Sequence, residues 1–408
     1  MTAQDYNAPE SVGRLEMRSL AVGLVGLVVC IIGWIKSPAS FFHSYLIAFM
    51  LVLGVSLGSL GILMLQHLTG GHWGIIIRRP LEAATRVLWL VALFFIPIVF
   101  GMSYLYSGDG VHPGWLNAPP QGEQALSSFS RHYLTTGGIL GFYGRAAIYF
   151  AIWIGMMLLL NSWSRQQDAN REDYAIRRRF KTLAGPGIIL YVFGISFAAI
   201  DWVMSISPHW ASTIYGFLFV GGQLISSMAL MIAVVVMLSR TEPFSRIIQA
   251  RHLHDLGKLL FAFIMLWAYF DFSQLLIIWS GNLPEEISFY RTRLYGHWGA
   301  IAVIVLIFHF FVPFFVLLSR NVKRTPARVT FVALWLIFMR CVDLFWMTRP
   351  DFGTHDAPAS AVPTLWDFGA LLALGGLWLW FFARQLKQMP LLPLGDPKLA
   401  EAIAHDEH

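Results

Sequence analysis

Three aspartates stand inside long apolar stretches of a 408-residue sequence: Asp201, Asp271 and Asp343. Each lies 15 or 16 residues after the point where its stretch begins. If these stretches are helices that cross a membrane in the same direction, the carboxylates reach about 22 to 24 Å from the same edge of the bilayer. Ionisable groups at such a depth are costly and usually face a bundle interior, a water path or one another. The spacing therefore predicts one layer of buried carboxylates.

Two arginines and one histidine accompany these acids. Arg145 is predicted about 9 Å inside its own stretch and so falls in the same layer. Arg340 precedes Asp343 by three residues, which puts the two on one helix face. His309 lies near the middle of its stretch, four residues before Pro313. It could serve there either as a packing residue or as a proton carrier. Three acids against two arginines leave at least one carboxylate without a charged partner. Two interpretations stay open. The residues either form buried ion pairs that fix the helix packing, or they form a proton relay or a polar pocket in which the carboxylate without a partner passes a proton.

Four further residues lie near the predicted membrane boundary beside this layer. They are His209, His297, Trp202 and Tyr269. An imidazole between aromatic walls can hydrogen-bond a quinone oxygen, which needs a polar partner in an otherwise apolar slot. The same residue types also form the aromatic belt at membrane surfaces. A quinol pocket and an aromatic belt are therefore both consistent with the sequence.

The composition requires a membrane environment. Hydrophobic residues make up 57% of the chain and charged residues 13%, with a mean hydropathy of +0.61. Soluble domains have about 45 to 50% apolar and about 25% charged residues. Only helices and closed barrels satisfy the backbone in lipid, and apolar runs of about 20 residues fit a helical span. We predict an all-α polytopic membrane protein with ten spans, near residues 19–35, 44–66, 87–106, 139–162, 185–206, 213–238, 256–280, 296–319, 328–347 and 365–386.

The basic residues predict the orientation. Of 29 lysines and arginines, 22 fall in the N-terminus, the even-numbered connections, the C-terminus and the adjoining helix ends, and five in the odd-numbered connections. Basic residues gather on the cytoplasmic side. We therefore predict a cytoplasmic segment at 1–18, a membrane domain at 19–386 and a cytoplasmic tail at 387–408. We attribute the net charge of +6 to topology and not to nucleic-acid binding.

The stretch 165–181 is predicted as an interfacial helix on anionic lipid. The long connections 107–138 and 348–364 favour an extrinsic partner.

Three stretches resemble the membrane subunits of bacterial alternative complex III, a quinol:cytochrome c oxidoreductase. They are HDLGKLLFAFIMLWAYFDFSQLLIIWSGNLPEEISFYRTR at 254–293, AIDWVMSISPHWASTIYGFLFVGGQ at 199–223 and RHYLTTGG at 131–138. The similarity is to the ActF-type subunit, the second of two large membrane subunits, and it extends over about residues 40–350. That family is similar to the polysulfide-reductase-like (NrfD-like) membrane subunits.

The resemblance implies two four-helix bundles, spans 2–5 and 6–9, flanked by spans 1 and 10. It implies a sister membrane subunit that binds quinol, an iron-sulfur subunit related to molybdopterin oxidoreductases, and multihaem cytochromes c. Haems and clusters would then belong to these partners; Cys30 and Cys341, both in apolar stretches, provide no haem-attachment or cluster motif, and we expect no covalently bound cofactor. The resemblance also implies that Asp201 and Asp271 line a proton half-channel. Arg145, His309, Arg340 and Asp343 join this relay from depth and charge alone.

Three hypotheses follow for the function. The first is a proton-conducting and structural subunit of a quinol:electron-acceptor oxidoreductase in a respiratory or photosynthetic chain of a bacterial inner membrane, surrounded by lipids. The second is that this chain itself binds quinol or menaquinol near His209 and His297. The third is a stand-alone secondary transporter, although such proteins often break their helices at the substrate site and only Pro97 and Pro313 lie deep in the predicted spans.

Overall fold

The computed structural model describes residues 6–108, 114–118, 126, 128–135, 137–169, 174–353 and 358–399. Within this part of the chain the secondary structure is helical and contains no β-strand. Residues 1–5 of the predicted N-terminal segment, residues 400–408 of the predicted tail and parts of both long connections lie outside the described residues.

Ten of the described helices are long and apolar enough to cross a membrane, which confirms the predicted fold class. They are α1 (Glu10–Lys36), α2 (Pro38–Thr69), α3 (Ile75–Phe100), α4 (Phe142–Ala169), α5 (Ala175–Ile206), α6 (Tyr215–Leu238), α7 (Ala250–Gly281), α8 (Gly296–Leu318), α9 (Pro326–Phe352) and α10 (Leu365–Leu386). Shorter helical segments between them are Met102–Leu105, Ser128–Tyr133, Phe244–Ile247, Pro284–Arg293 and Arg320–Arg324.

Two predicted boundaries were wrong because charged residues lie inside the helices. Helix α3 begins at Ile75, not at residue 87, because its first turns bury Arg78, Arg79 and Glu82 as mutual ion pairs. The described residues of the predicted interfacial helix at 165–181 belong to the two neighbouring spans. Residues up to 169 extend α4 and those from 174 extend α5.

The helices pack as two bundles and a flanking pair. Helices α2 to α5 form the first bundle and α6 to α9 the second, with α2 and α6 in contact at the centre. Helices α1 and α10 pack along one another, and α10 also contacts α2 and α3. Most of α2 and α6 is buried, whereas large parts of α7 and α8 are exposed. This arrangement agrees with the plan that the family resemblance implied.

The described residues that precede α1 and follow α10 meet at one end of the bundle, which we call the terminal end. The backbone N–H of Leu391 donates to the Tyr6 carbonyl at 2.9 Å, and Lys387 pairs with Glu16 at 2.6 Å. The opposite end, called the far end, carries the connections that follow α1, α3, α5, α7 and α9. The cytoplasmic location of the terminal end stays a prediction.

The contact between α1 and α10 predicts a sharp effect of one methyl group. A Cβ on Gly26 would lie 2.2 Å from the backbone N of Ala373, whereas a Cβ on Gly375 would meet nothing within 4 Å. Overpacking of this kind costs about 1 to 3 kcal/mol. We expect Gly26→Ala to lower the thermal unfolding temperature of the detergent-solubilised chain and Gly375→Ala to leave it unchanged. Equal unfolding temperatures for the two variants would contradict this packing.

Candidate functional site

The predicted acids and bases divide between two clusters, one in each bundle. In the first bundle, Arg145 of α4 faces Asp201 of α5. Its Nε and Nη2 donate to the two carboxylate oxygens at 2.8 Å each, and the Tyr149 hydroxyl adds a third hydrogen bond at 2.8 Å. Asp201 is fully buried, and the Arg145 guanidinium also covers the Tyr133 ring at 4.1 Å. We call Arg145, Tyr149 and Asp201 the first-bundle clamp.

The second bundle holds the larger group. Arg340 and Asp343, both buried, form an ion pair within α9, as their spacing predicted. His309 of α8 is fully buried beside them, with its Nδ1 3.8 Å from the Oδ2 of Asp343. Trp267 of α7 lies against the imidazole with 4.3 Å between ring centroids. With Asp271, described below, these residues are called the second-bundle cluster.

The second-bundle cluster differs from the clamp in its unfilled hydrogen-bonding capacity. Among the described residues, neither nitrogen of His309 has a hydrogen-bond partner. Unsatisfied buried groups of this kind are rare and costly, and the nearest carboxylate oxygen, Oδ2 of Asp343, lies 3.8 Å from the Nδ1 of His309.

The local backbone places His309 at this position. Residues Leu306–Phe311 form a π-helical turn in the middle of α8, directly before Pro313. Pro313 is visible in the sequence, whereas the π-helical turn was not predicted. Such turns occur rarely and often at functional sites. His309 therefore combines a buried imidazole that has no partner among the described residues with a π-helical turn.

Space for the Arg340 side chain comes from α6. A Cβ on Gly222 would lie 2.1 Å from the guanidinium carbon of Arg340, so any larger residue would displace it. The guanidinium also lies 5.6 Å from the centre of the Phe219 ring. Helix α6 therefore determines where the positive charge sits relative to α7 and α8.

Asp271 is the acid without a direct partner. It lies on α7, one turn after Trp267, and is half-buried. No described residue forms a hydrogen bond or ion pair with it, while Asp343 and Arg340 are the charges close enough to act on it. The charge count had predicted that one of three acids would lack a charged partner, and the structure identifies it as Asp271.

Beyond Asp271, a hydrogen-bonded group of polar side chains continues towards the far end. Gln274, on the same face of α7, donates to the Tyr290 hydroxyl at 3.3 Å and accepts from the Ser212 hydroxyl at 3.2 Å. Burial raises the pKa of Tyr290, and the negative charge of Asp271 raises it further. The phenol therefore keeps its proton and remains a hydrogen-bond donor.

These polar side chains end next to a cavity of about 510 Å³ at the far end. Phe289, the neighbour of Tyr290, stacks on Trp210 with 4.3 Å between ring centroids. His209 is exposed at the rim. Residues that line the cavity include His43, Ser207, His209, Trp210, Phe289 and Thr292.

The four residues predicted for a quinol pocket do not come together. Only His209 lines the far-end cavity. Trp202 is fully buried in the first bundle against Phe95 and Phe150, because its helix turns that face inward. Tyr269 is 65% exposed on the lateral surface, and His297 is exposed at the start of α8. Depth along a helix had grouped them, but their directions around the helix axes separate them.

The sequence analysis missed a buried polar network at the terminal end. Glu82 of α3 accepts hydrogen bonds from Arg78, Arg79 and Ser164 at 3.1, 2.7 and 2.6 Å. Arg79 also pairs with Asp168 of α4. The motif RRPLEAATR at 78–86 carried the signal, since acids three and four residues after arginines share a helix face with them.

Comparisons with known proteins give no assignment: no protein-family model and no curated protein matches this chain.

The clamp predicts a large stability difference between two arginines. Arg145→Met leaves Asp201 buried without a positively charged partner, with the Tyr149 hydroxyl as a remaining hydrogen-bond donor, which costs about 3 to 5 kcal/mol. Arg246→Met removes a highly exposed partner of Glu242 and should cost less than about 1 kcal/mol. Thermal unfolding of the solubilised variants measures both. Similar small losses for the two would show that Asp201 has another partner or reaches water.

Proposed function

We propose that this chain is an integral membrane subunit of a quinol:electron-acceptor oxidoreductase of the alternative complex III type. It provides a proton path and a scaffold in an electron transport chain of a bacterial inner membrane. The resemblance of residues 254–293 to that family supports the assignment, and this stretch contains Trp267, Asp271, Gln274 and Tyr290, four of the residues that build the site.

The observation that carries the proposal is the incomplete hydrogen bonding of the second-bundle cluster. A buried imidazole without a partner faces a carboxylate 3.8 Å away, next to a second carboxylate that has no direct partner. A group that accepts and releases protons needs a hydrogen-bonding position that no other side chain occupies. In a purely structural ion pair, the partners occupy these positions. The chain from Asp271 through Gln274 to Tyr290 gives a released proton a polar route towards the far-end cavity.

The two clusters have separate roles in this proposal. His309, Asp271 and Asp343 hold and pass protons, and Arg340 sets the local charge. The first-bundle clamp uses both oxygens of Asp201 for hydrogen bonds, so Arg145 and Asp201 hold α4 against α5 and do not transfer protons. This division narrows the relay predicted from depth alone to the second bundle.

The redox centres of the complex belong, in this proposal, to its partners. A sister NrfD-like subunit oxidises quinol, and an iron-sulfur subunit and multihaem cytochromes c carry the electrons. The far end, with its cavity and aromatic rim, is the face on which extrinsic subunits would dock.

A second candidate function is quinol or menaquinol binding by this chain itself. The far-end cavity supports it, because His209 lines that cavity beside the stacked rings of Trp210 and Phe289. In this alternative the imidazole would hold a quinol hydroxyl and the rings would flank the head group. Loss of quinol oxidation on His209→Phe in a complex that still assembles would support it; unchanged oxidation would exclude a role for His209.

Removal of one carboxyl group tests the relay. In the assembled complex reconstituted into vesicles, Asp271→Asn should lower quinol-driven proton movement by about 100-fold, the lower range for loss of a positioned proton-transfer group, without loss of assembly. Asp255→Asn, which removes an exposed charge near the start of the same helix, is the matched control. An unaltered rate of quinol-driven proton movement in Asp271→Asn would remove this residue from the relay.

Purification separates the complex subunit from a transporter. A subunit of the proposed complex, tagged and solubilised in mild detergent, should bring covalently bound haem c with it, visible in the absorption spectrum and by haem staining. A stand-alone transporter would be recovered without haem. Recovery of the active chain alone would contradict the proposed assembly.

A further inference from the structure

A basic groove lies at the terminal end, between the end of α4 and the start of α5. It has a volume of about 470 Å³, with Arg178 and Arg179 on one side and Trp163 and Leu183 among its apolar walls. Both arginines are exposed, and neither forms an ion pair with a described residue. Two cations next to an indole at the end of a membrane span form a site with no assigned ligand.

The sequence around the groove is also basic. Residues 165–181 hold six basic and three acidic side chains. One of the acids, Asp168, is already engaged by Arg79 and by the backbone N–H of Gly395. The groove therefore favours an anion, and the planar guanidinium groups suit a phosphate, which they can bind with two hydrogen bonds each.

The same face of α5 continues as an apolar stripe into the membrane. From Arg179, steps of three or four residues lead to exposed side chains that a membrane would cover. Ile189, Phe193 and Phe197 on this stripe are 57, 56 and 45% exposed. A ligand that spans both features needs an anionic head and an apolar tail.

We propose that this groove binds one anionic phospholipid. Its phosphate pairs with Arg178 and Arg179, its glycerol region lies against Trp163 and Thr182, and an acyl chain follows the stripe on α5. Basic pockets between membrane helices bind lipid head groups in this way. The specificity for a net negative lipid follows from the two arginines, which have no acidic partner among the described residues.

Native mass spectrometry of the full chain, released from detergent with defined lipids, tests this site. We expect one tightly retained phosphatidylglycerol and weaker retention of phosphatidylcholine. The double variant Arg178→Gln/Arg179→Gln should weaken retention of phosphatidylglycerol about 30-fold, about fivefold for each arginine. The matched control is Arg320→Gln/Arg324→Gln, which removes two exposed arginines from another connection at the same end and should retain the lipid.

A second measurement does not depend on the arginine variants. Phosphatidylglycerol with brominated acyl chains should quench tryptophan fluorescence of the wild-type chain, and Trp163→Phe should remove a saturable part of that quenching. Equal retention in the two double variants, or equal retention of both lipids, would overturn the proposal. So would arginine-dependent binding of inorganic phosphate without selective lipid binding, or a photo-crosslinker at position 163 that captures a polypeptide instead of lipid.

Discussion

The cost of burying charge in an apolar bundle is the constraint on which this structure depends. An unpaired ion loses several kcal/mol of hydration, so the buried arginines of the helices lie against carboxylates. Pairs of this kind join α3 to α4, α4 to α5 and α9 to α10: Arg79–Asp168, Arg145–Asp201 and Arg349–Asp367. Arg340 and Asp343 pair within α9, which neutralises charge without fixing a neighbour. Helices α7 and α8 contact one another here through the rings of Trp267 and His309, in the region where His309 and Asp271 lack complete partners.

The fold could largely be predicted from the sequence because apolar length is a strong signal. Ten spans were expected and ten are present among the described residues. The prediction failed where charges neutralise one another. Hydropathy treats Arg78, Arg79 and Glu82 as polar and places them in a connection, but in the structure they form the buried start of α3. The interfacial helix failed for a different reason. Its described residues continue α4 and α5, and Arg178 and Arg179 among them are exposed.

The site could be predicted in depth but not in direction. Spacing along each helix predicted one level for Asp201, Asp271 and Asp343, and the structure brings Asp271 and Asp343 close enough for their charges to interact. The pairing of Arg340 with Asp343 followed from a separation of three residues. Rotation about the helix axes decides the rest: it turns Asp201 onto Arg145 in the first bundle and Trp202 into the core, and it exposes Tyr269. Neither the π-helical turn at His309 nor the space that Gly222 leaves for Arg340 has a signal in hydropathy.

Proton transfer through Asp271 requires that water reaches this residue through the second bundle. Cysteine accessibility tests it directly, in the Cys30→Ala/Cys341→Ala background reconstituted into vesicles. A small charged thiol reagent should modify Asp271→Cys, whereas Phe272→Cys, whose native side chain is 62% exposed on the lateral surface of the same helix, should be protected by lipid. If Asp271→Cys is as unreactive as Phe272→Cys, the second-bundle cluster is dry and has no part in proton transfer.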